Sequence, residues 1–510
     1  MKSINKEEFK MNKNIKKLLF LLLVSLLFAT GCKENFLETN PPNKLSPATF
    51  WKTENDAKMA LVAIYDPLDS YALYGAAIYL EVCGPNAYNN YPWEGYKTVG
   101  TGELNPEGPW VIANKWKTCW SGIGRANTFL NNVGNVTMDE ATKKEFIAEA
   151  KFLRALYYHN LVNYYGGVPV ITESPKEEHG QLPRNTREEC VTQILKDLDE
   201  AIIDLPEDAK EEGRVTKGAA LSLKAKVLLY ASRWKEAADA AKAVMDLGKY
   251  SLDNNYRELF LGSSAGKPEV IFALKKKSPE FTNAWDTYLA PMNSGVSGWA
   301  SIVPMKNLVD DYHMKDGKPI TESALFDANA PYENRDPRFK QTIFYHGGKW
   351  NGTTFDSANT YTGYAFQKYS SYDSSASDAV GYGKSVNDYL ILRYADVLLM
   401  YAEAENEANG PSQAVYDAIN LVRQRAGMPD VGALGKDALR DFIRHERRIE
   451  FAGEGYYYSD IRRWKIGPEV TRKVTFEART FDPNKNYLWP IPAREFEINK
   501  NPGFKQNPGY

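Results

Sequence analysis

The pattern of apolar and polar positions between residues 143 and 162 has the period of an α-helix. Apolar residues recur at three- and four-residue spacings on one face, at Phe146, Ala150, Leu153 and Tyr157. The glycines at 166 and 167 end this helix, because glycine favours a chain reversal over a further turn. A second helix is predicted over 187–203.

Two later stretches each contain two helical patterns separated by a short break. The first pair covers residues 216–231 and 234–247, and the second covers 390–408 and 412–425. Alanines recur at the inward positions, so two antiparallel helices can approach closely. A further helix is predicted over 436–452. Repeated helix pairs of this kind are typical of tetratricopeptide scaffolds, and a generic helical bundle is the alternative. The expected fold is mostly α.

The stretch from residue 256 to 388 lacks the helical period. It is rich in Gly, Ser, Asn, Asp, Tyr and Trp, and only brief pieces such as 269–274 have the character of a strand. We predict a loop-rich, ligand-facing subdomain with short strands, because binding residues tend to lie on loops that a rigid frame positions. The expected division is a helical region over 32–255 and a second region over 256–510. The second region continues after the insert into helix pairs over 389–465 and a proline-rich tail.

The first 31 residues have the pattern of an export signal. Lysines at 13, 16 and 17 precede the apolar run Leu18–Ala29, and small residues lead to Cys32. The run is shorter than the about 20 apolar residues that a membrane-spanning helix needs. A cysteine at this place resembles the lipobox of bacterial lipoproteins, whose cysteine is acylated before cleavage. We predict removal of residues 1–31, a lipid on Cys32 and an extended tether over 33–50. An ordinary signal peptide with a chance cysteine is the alternative.

Charge and cysteine content narrow the class of protein. The 510 residues include 63 Lys and Arg against 65 Asp and Glu, with no long basic block. Nucleic acid is therefore a poor candidate partner, since phosphate binding needs concentrated positive charge. Cys83, Cys119 and Cys190 have neither the spacing of a disulfide framework nor that of a metal site. We expect buried thiols, with one disulfide as the alternative, and no bound metal.

The sequence contains no recognisable catalytic motif. G-x-S-x-G, P-loop and dinucleotide fingerprints are missing, and the five histidines are isolated. His445 and Glu446 begin like a zinc-protease helix, but Ile449 stands where the second histidine is required. Carboxylates are plentiful, so a glycosidase pair stays open as an alternative. We predict a protein that is not an enzyme and has no cofactor apart from the covalent lipid.

The predicted helix at 440–454 carries arginines and glutamates at spacings of three and four residues. They are Arg444, Arg447, Arg448, Glu446, Glu450 and Glu454. Such spacing allows ion pairs along a helix. We expect an ion-pair network that fastens this helix to its neighbours, and an anion-binding site is the alternative.

Aromatic residues make up 13% of the chain and collect in polar loop segments. The candidates for ligand contact are Tyr91, Trp93 and Tyr96, then Trp285, Tyr288 and Trp299, and finally Trp350. A sugar ring presents a face of C–H bonds that stacks on an aromatic plane, while neighbouring polar side chains bind its hydroxyls. The segments therefore favour a saccharide ligand. Packing of these rings against the helices, or contact with a protein partner, are the alternatives.

Several blocks of the sequence resemble signature segments of the SusD/RagB family of outer-membrane lipoproteins. In chain order they are FLETNPPNKLSPATFW after Cys32, the helix at 143–171, Asp336-Pro337-Arg338-Phe339, the segment 389–427, HERRIEFAGEGYYYSDIRRW at 445–464, and the ending from YLWPIP to Tyr510. Each block alone is weak, but their shared order along the whole mature chain is specific.

The resemblance implies both a fold and a role. It implies tetratricopeptide-type helix pairs with an irregular ligand-facing lobe, in a non-catalytic lipoprotein on the outer face of the outer membrane. Such proteins capture a nutrient, usually a glycan, and pass it to a SusC-like TonB-dependent transporter. Some relatives bind peptides, so an oligopeptide ligand is one alternative. A protein scaffold without a small ligand is another.

Overall fold

A computed structural model describes residues 13–15, 17, 50–293, 295–373, 375 and 380–510. Cys32, the predicted cleavage site and most of the predicted tether lie outside the described residues, so these predictions remain predictions. No helix in the described part of the chain combines the length and the apolar character that crossing a bilayer requires.

The chain from residue 50 onward forms long helices in its first half and again after residue 393. The α-helices are α1 (Glu54–Tyr65), α2 (Leu80–Cys83), α3 (Tyr96–Thr101), α4 (Trp110–Asn132), α5 (Glu140–Tyr165), α6 (Arg187–Asp204), α7 (Lys217–Tyr230), α8 (Trp234–Asp246), α9 (Trp285–Leu289), α10 (Lys306–Asp311), α11 (Pro337–Thr342), α12 (Tyr394–Asn409), α13 (Gln413–Arg425), α14 (Lys436–Glu450), α15 (Tyr457–Arg463), α16 (Gly467–Thr471) and α17 (Ala493–Ile498). The strands are β1 (Ala87–Asn89), β2 (Val270–Leu274), β3 (Ile302–Pro304), β4 (Ile343–Phe344), β5 (Lys349–Trp350), β6 (Thr353–Thr354), β7 (Ala365–Phe366) and β8 (Tyr389–Arg393).

The long helices pack as one array that follows the chain. Helix α4 packs on α5, α5 on α6, α6 on α7 and α7 on α8. Helix α12 then packs on α8, although the whole loop-rich stretch lies between them in sequence, and the array continues to α13 and α14. The predicted helix pairs are confirmed as α7 with α8 and α12 with α13. The mostly α, tetratricopeptide-like fold is confirmed with them.

Local sequence accounts for the ends and the close packing of α5. The Asp139 carboxylate caps its first turn by accepting a hydrogen bond from the backbone N–H of Thr142 at 2.9 Å. Gly166, with φ +75°, ends it as the two glycines predict. Helix α4 approaches closely at Gly122, where a Cβ atom would lie 2.3 Å from the Tyr157 ring. A larger residue at 122 would therefore push α4 away from α5.

The loop-rich stretch leaves the helical array after α8 and returns through a strand pair. β2 pairs antiparallel with β8, and α12 begins directly after β8. β1 pairs with β3, which ties the N-terminal half to the insert, and the pairs β4–β7 and β5–β6 lie within the insert. Most of the buried apolar side chains of both halves form one continuous cluster from Ala57 to Phe504, and a smaller cluster around Trp350 lies within the insert. The predicted division at residue 255 stays a prediction.

A buried ion-pair network joins the insert to helix α14. The Arg393 guanidinium at the end of β8 contacts Glu269 at 2.6 Å, Glu450 at 2.8 Å and Glu454 at 2.7 Å, and all four side chains are fully buried. Burial would raise the pKa of Glu450, but the neighbouring arginines hold that pKa well below its ordinary value. The remaining members are Asp336, Arg338, Lys368, Arg423, Arg425 and Glu446.

A second buried network is centred on Arg447 of the same helix. Arg447 contacts Asp396 at 2.9 Å and Asp460 at 3.2 Å, and Lys226 of α7 contacts Asp396 at 3.0 Å. Arg463 joins through Glu403 at 2.5 Å. The expected ion-pair network at 440–454 is thus confirmed, because Glu446, Arg447, Glu450 and Glu454 are all consumed by pairing. Arg448 also pairs, with Asp311 at 2.6 Å, and no contact of the described chain tests the alternative of an anion-binding site on this helix.

The three cysteines of the described chain are buried free thiols. Burial raises the pKa of Cys119 to about 12, so this thiol stays protonated at neutral pH. The prediction of buried thiols is confirmed, and the alternative of a disulfide among them is wrong.

Replacing Arg393 by Met should strongly destabilise the fold. The substitution leaves Glu269, Glu450 and Glu454 buried without their shared cation, and breaking a buried pair in this way costs about 3–5 kcal/mol. Chemical denaturation followed by circular dichroism measures the loss. Lys235→Ala, which breaks an exposed i,i+4 pair with Asp239, is the matched control and should leave the unfolding midpoint nearly unchanged. Equal small effects of both variants would contradict the role assigned to the network.

His159 should make the protein sensitive to acid. Burial lowers the pKa of His159 to about 3, below the ordinary value of 6.5, so between these values the unfolded chain binds a proton that the folded chain does not. Stability is therefore lost as pH falls below 6.5. From pH 6.5 to 4.5, wild type should lose about 2–3 kcal/mol more than His159→Gln, at about 1.4 kcal/mol per pH unit. Denaturation series at several pH values measure the difference, which should be constant between pH 7.5 and 8.5. A constant difference down to pH 4.5 would refute this assignment.

Candidate functional site

A stacked pair of rings, Trp299 and Tyr382, lies where the predicted aromatic loop at 285–299 meets a separate loop. Their ring centroids are 5.2 Å apart at an angle of 22°, and Tyr382 is 58% exposed. Trp299 precedes β3 and is held by its backbone N–H, which donates to the Thr287 carbonyl at 2.9 Å. Tyr288, from α9, lies 5.7 Å from the Trp299 ring. The two loops therefore present a flat, half-buried ring surface to solvent.

Further rings extend this surface toward the N-terminal half. Tyr71 lies 6.3 Å from Tyr288 and 6.0 Å from Trp110, which is 43% exposed at the first turn of α4. We call the set Tyr71, Trp110, Tyr288, Trp299 and Tyr382 the aromatic ridge. Because it draws rings from α4 as well as from the insert, the ridge exists only when the two halves are packed together.

Polar groups lie directly beside the ridge. The Tyr71 hydroxyl donates to Oε1 of Glu94 at 3.2 Å, and burial raises the pKa of Glu94. Burial also raises the pKa values of Tyr71 and Tyr288, so both hydroxyls keep their protons at neutral pH. The ridge thus combines ring faces with tyrosine hydroxyl oxygens and a carboxylate acceptor, groups that a sugar ring and its hydroxyls match.

A second aromatic group includes the rings that directly precede Glu94 in sequence. The Trp93 ring, 61% exposed, lies 4.7 Å from the Tyr91 ring at an angle of 36°. The Tyr361 hydroxyl accepts a hydrogen bond from the Asn90 amide at 2.7 Å. Tyr88 lies 4.9 Å from the exposed Phe476. We call Tyr88, Tyr91, Trp93, Tyr361 and Phe476 the second aromatic group. Glu94 directly follows Trp93, so one turn carries groups of both surfaces.

Three of the predicted contact residues lie deep in the core, and a fourth, Tyr288, is also buried at 8% exposed. Trp285 is fully buried and donates from Nε1 to the Gly75 carbonyl at 3.0 Å. Tyr96 is 1% exposed, with its hydroxyl bonded to the Tyr71 carbonyl, and Trp350 is 2% exposed in a small cluster with Phe344 and Tyr372. Because protein covers their ring faces, no ligand can stack on them, and we remove Tyr96, Trp285 and Trp350 from the candidate site. Tyr91, Trp93 and Trp299 keep exposed surface and remain predicted ligand contacts, whereas the buried Tyr288 packs against Trp299 at 5.7 Å.

Sequence reasoning missed Tyr71, Trp110, Tyr382 and Phe476. One signal was available for Tyr382, because it stands between Gly381 and Gly383, where a large ring in a glycine turn has no strand or helix to pack into. Trp110 gave no signal, since it opens a long helix whose other rings are buried. Tyr71 lies in a turn before α2 with nothing to mark it as exposed.

Metal ligation has one geometric candidate among the described residues. Glu173, Glu178 and His179 place a ligand atom each within 4.8 Å of one another. Lys176 already pairs with Glu173 at 2.6 Å, and His179 contacts the same carboxylate at 3.2 Å. The group includes no residue of either aromatic surface, and these contacts are what an exposed acidic turn makes by itself.

Comparison with known proteins agrees with the observed fold, and two family models match successive parts of the chain. Residues 268–510 match the model of the SusD family, and residues 35–229 match a model described as starch-binding and associating with the outer membrane. The SusD-like protein P25 of Formosa agariphila is 27% identical over 520 residues, which cover 94% of this chain and 96% of that protein.

Solved structures extend the similarity to three dimensions. A SusD-like protein from Bacteroides fragilis matches with a TM-score of 0.81 at 29% identity, over 91% of this chain and 99% of that one. A laminarin-binding SusD-like protein matches with a TM-score of 0.73 at 26% identity, over 90% of this chain and all of that one. The chain therefore belongs to the SusD/RagB family.

Proposed function

We propose that this protein binds a glycan on the aromatic ridge. The observation that carries the proposal is the stacked, solvent-facing pair Trp299 and Tyr382, beside the Tyr71 hydroxyl and the Glu94 carboxylate. Rigid rings lose little conformational entropy on binding and cover the apolar face of a pyranose, while the polar groups exchange hydrogen bonds with its hydroxyls. The names of a family model and of a structural relative, starch-binding and laminarin-binding, support a polysaccharide ligand.

The wider role that we propose is capture without catalysis. The protein would sit at the outer membrane through a lipid on Cys32, face the outside, and deliver the glycan to a SusC-like TonB-dependent transporter. The predicted lipobox, the description of the model that matches residues 35–229, and family membership support this role. On this proposal the bound polysaccharide stays intact, so incubation releases no reducing ends.

Trp299→Ala and Tyr382→Ala should each weaken glycan binding at least about ten-fold, or about 1.4 kcal/mol. Each variant removes one ring of the stack, and with it the apolar face on which the sugar rests. Isothermal titration calorimetry against laminarin, starch and acidic polysaccharides measures affinity, with an oligopeptide set in parallel. Phe281→Ala is the matched control, because Phe281 is 62% exposed but belongs to neither aromatic surface.

Other outcomes of that titration contradict the proposal. Binding of peptides but of no polysaccharide would replace the glycan by an oligopeptide. If no ligand of the panel binds, the remaining alternative is a protein scaffold without a small ligand. If both ridge variants bind the polysaccharide as tightly as wild type, the binding site lies elsewhere on the molecule.

Trp285→Ala should behave differently from Trp299→Ala. Trp285 is fully buried, so its removal leaves a cavity and costs about 3–5 kcal/mol of stability, whereas the half-buried Trp299 should cost much less. Denaturation midpoints compare the two variants. Equal losses would mean that Trp299 is as much a part of the core as Trp285, which would contradict its placement on the ridge.

A further inference from the structure

A small cavity with mixed polar and apolar lining lies in the helical scaffold, and none of its lining residues belongs to either aromatic surface. It has a volume of about 70 Å³ and is bounded by helices α4, α5, α7 and α15 and by strand β8. Its polar lining includes Tyr74, Lys115, Asn160, Asn163, Tyr230 and Ser459, and no aspartate or glutamate of the described chain lines it. The lining is thus rich in hydrogen-bond donors and carries positive charge without a carboxylate.

Lys115 is unlike the other buried cations around it. Its side chain is 1% exposed, and within the described ranges its ammonium makes no hydrogen bond and no ion pair, only a contact with the Tyr164 ring at 4.7 Å. Lys226 lines the same cavity but pairs with Asp396 at 3.0 Å, and Lys368 pairs with Glu454 at 2.9 Å. A buried charge is normally paired, so Lys115 is the exception that needs an explanation.

The protein groups near Lys115 do not neutralise it. The nearest ionisable groups are the thiols of Cys83 and Cys119, whose pKa values burial raises, to about 12 for Cys119, so both are neutral at pH 7. Arg462 is a like charge and further disfavours the ammonium. Burial lowers the pKa of Lys115 to about 8, which still leaves the ammonium mostly protonated at neutral pH.

The amides of the lining are already committed, whereas hydroxyl donors remain. Asn160 donates both amide hydrogens, to the Tyr74 hydroxyl and to the Leu156 carbonyl, each at 2.9 Å. Asn163 donates to Ser459 at 3.0 Å. The Tyr74 hydroxyl accepts from Asn160 and donates to no acceptor in the described chain, so its hydrogen is available to a guest in the cavity.

We propose that the cavity binds a small monovalent anion of the size of chloride against Lys115. The ammonium supplies the charge, and the Tyr74 hydroxyl is positioned to supply a neutral donor. A cavity of about 70 Å³ has room for one such ion together with a water molecule. The ion would neutralise the Lys115 charge on α4, where that helix meets α5 and α15. It would stabilise the folded chain more as its concentration rises above its dissociation constant.

Bromide, which has anomalous X-ray scattering, tests the proposal directly. Crystals of the protein grown or soaked in sodium bromide should show an anomalous peak within hydrogen-bonding range of Lys115 Nζ, and Lys115→Met should abolish it. In solution, replacing gluconate by bromide at constant ionic strength should raise the unfolding midpoint of wild type by about 2 °C or more. Lys117→Met, the same change at an exposed site of α4, should retain both effects.

The proposal is overturned if the wild-type cavity contains only water in bromide. It is also overturned if the anomalous peak persists in Lys115→Met, or if bromide stabilises that variant as much as wild type. Should Lys115→Met not fold, the wild-type peak at Nζ and the bromide response of Lys117→Met decide the question. Glycan binding is measured separately, so failure of this proposal leaves the proposed function untouched.

Discussion

Glu450 receives guanidinium groups from three separate segments of the chain: Arg338 of the insert, Arg393 at the end of β8 and Arg425 at the end of α13. If one of these segments packed elsewhere, the carboxylates that it pairs with would stay buried without that cation. Buried ion pairs add little net stability compared with apolar side chains, but they strongly penalise any arrangement in which one partner is missing. The network therefore acts on specificity, since it fixes where the insert sits on the helical array.

That constraint explains why a long insert does not interrupt the scaffold. After α8 the chain runs through β2 and the loops, returns along β8 and enters α12, which packs on α8. Glu269 stands before β2 and Arg393 at the end of β8, so their ion pair closes the insert at its base. Lys368, from the middle of the insert, reaches the same network through Glu454. The loops are thus anchored at several points, which is what pre-organised ring surfaces require.

Helices and ion pairs were predictable from sequence because both depend on spacing along the chain. Three local patterns allowed these predictions. They are the apolar period around Phe146 and Leu153, the glycine stop at Gly166, and the charges at Glu446 and Glu450. The partners of those charges were not predictable, since Arg338 and Arg393 lie more than fifty residues away in sequence. Nor does any local pattern show that α8 and α12 are neighbours.

The aromatic residues show where local pattern stops being informative. Trp285 and Trp299 occur in the same polar, glycine-containing stretch, yet one is a core side chain and the other lies at the surface. The difference arises from tertiary packing: the Trp285 indole finds an acceptor on Gly75, from the other half of the chain, whereas Trp299 lies against Tyr382 of a separate loop. An indole carries both a large apolar area and a hydrogen-bond donor, so it suits either place. The core rings Tyr79 and Tyr96 then form a layer against which Tyr71 and Tyr288 pack. The abundance of aromatic residues thus has two linked causes, because a rigid ring surface for a ligand needs a second layer of rings beneath it.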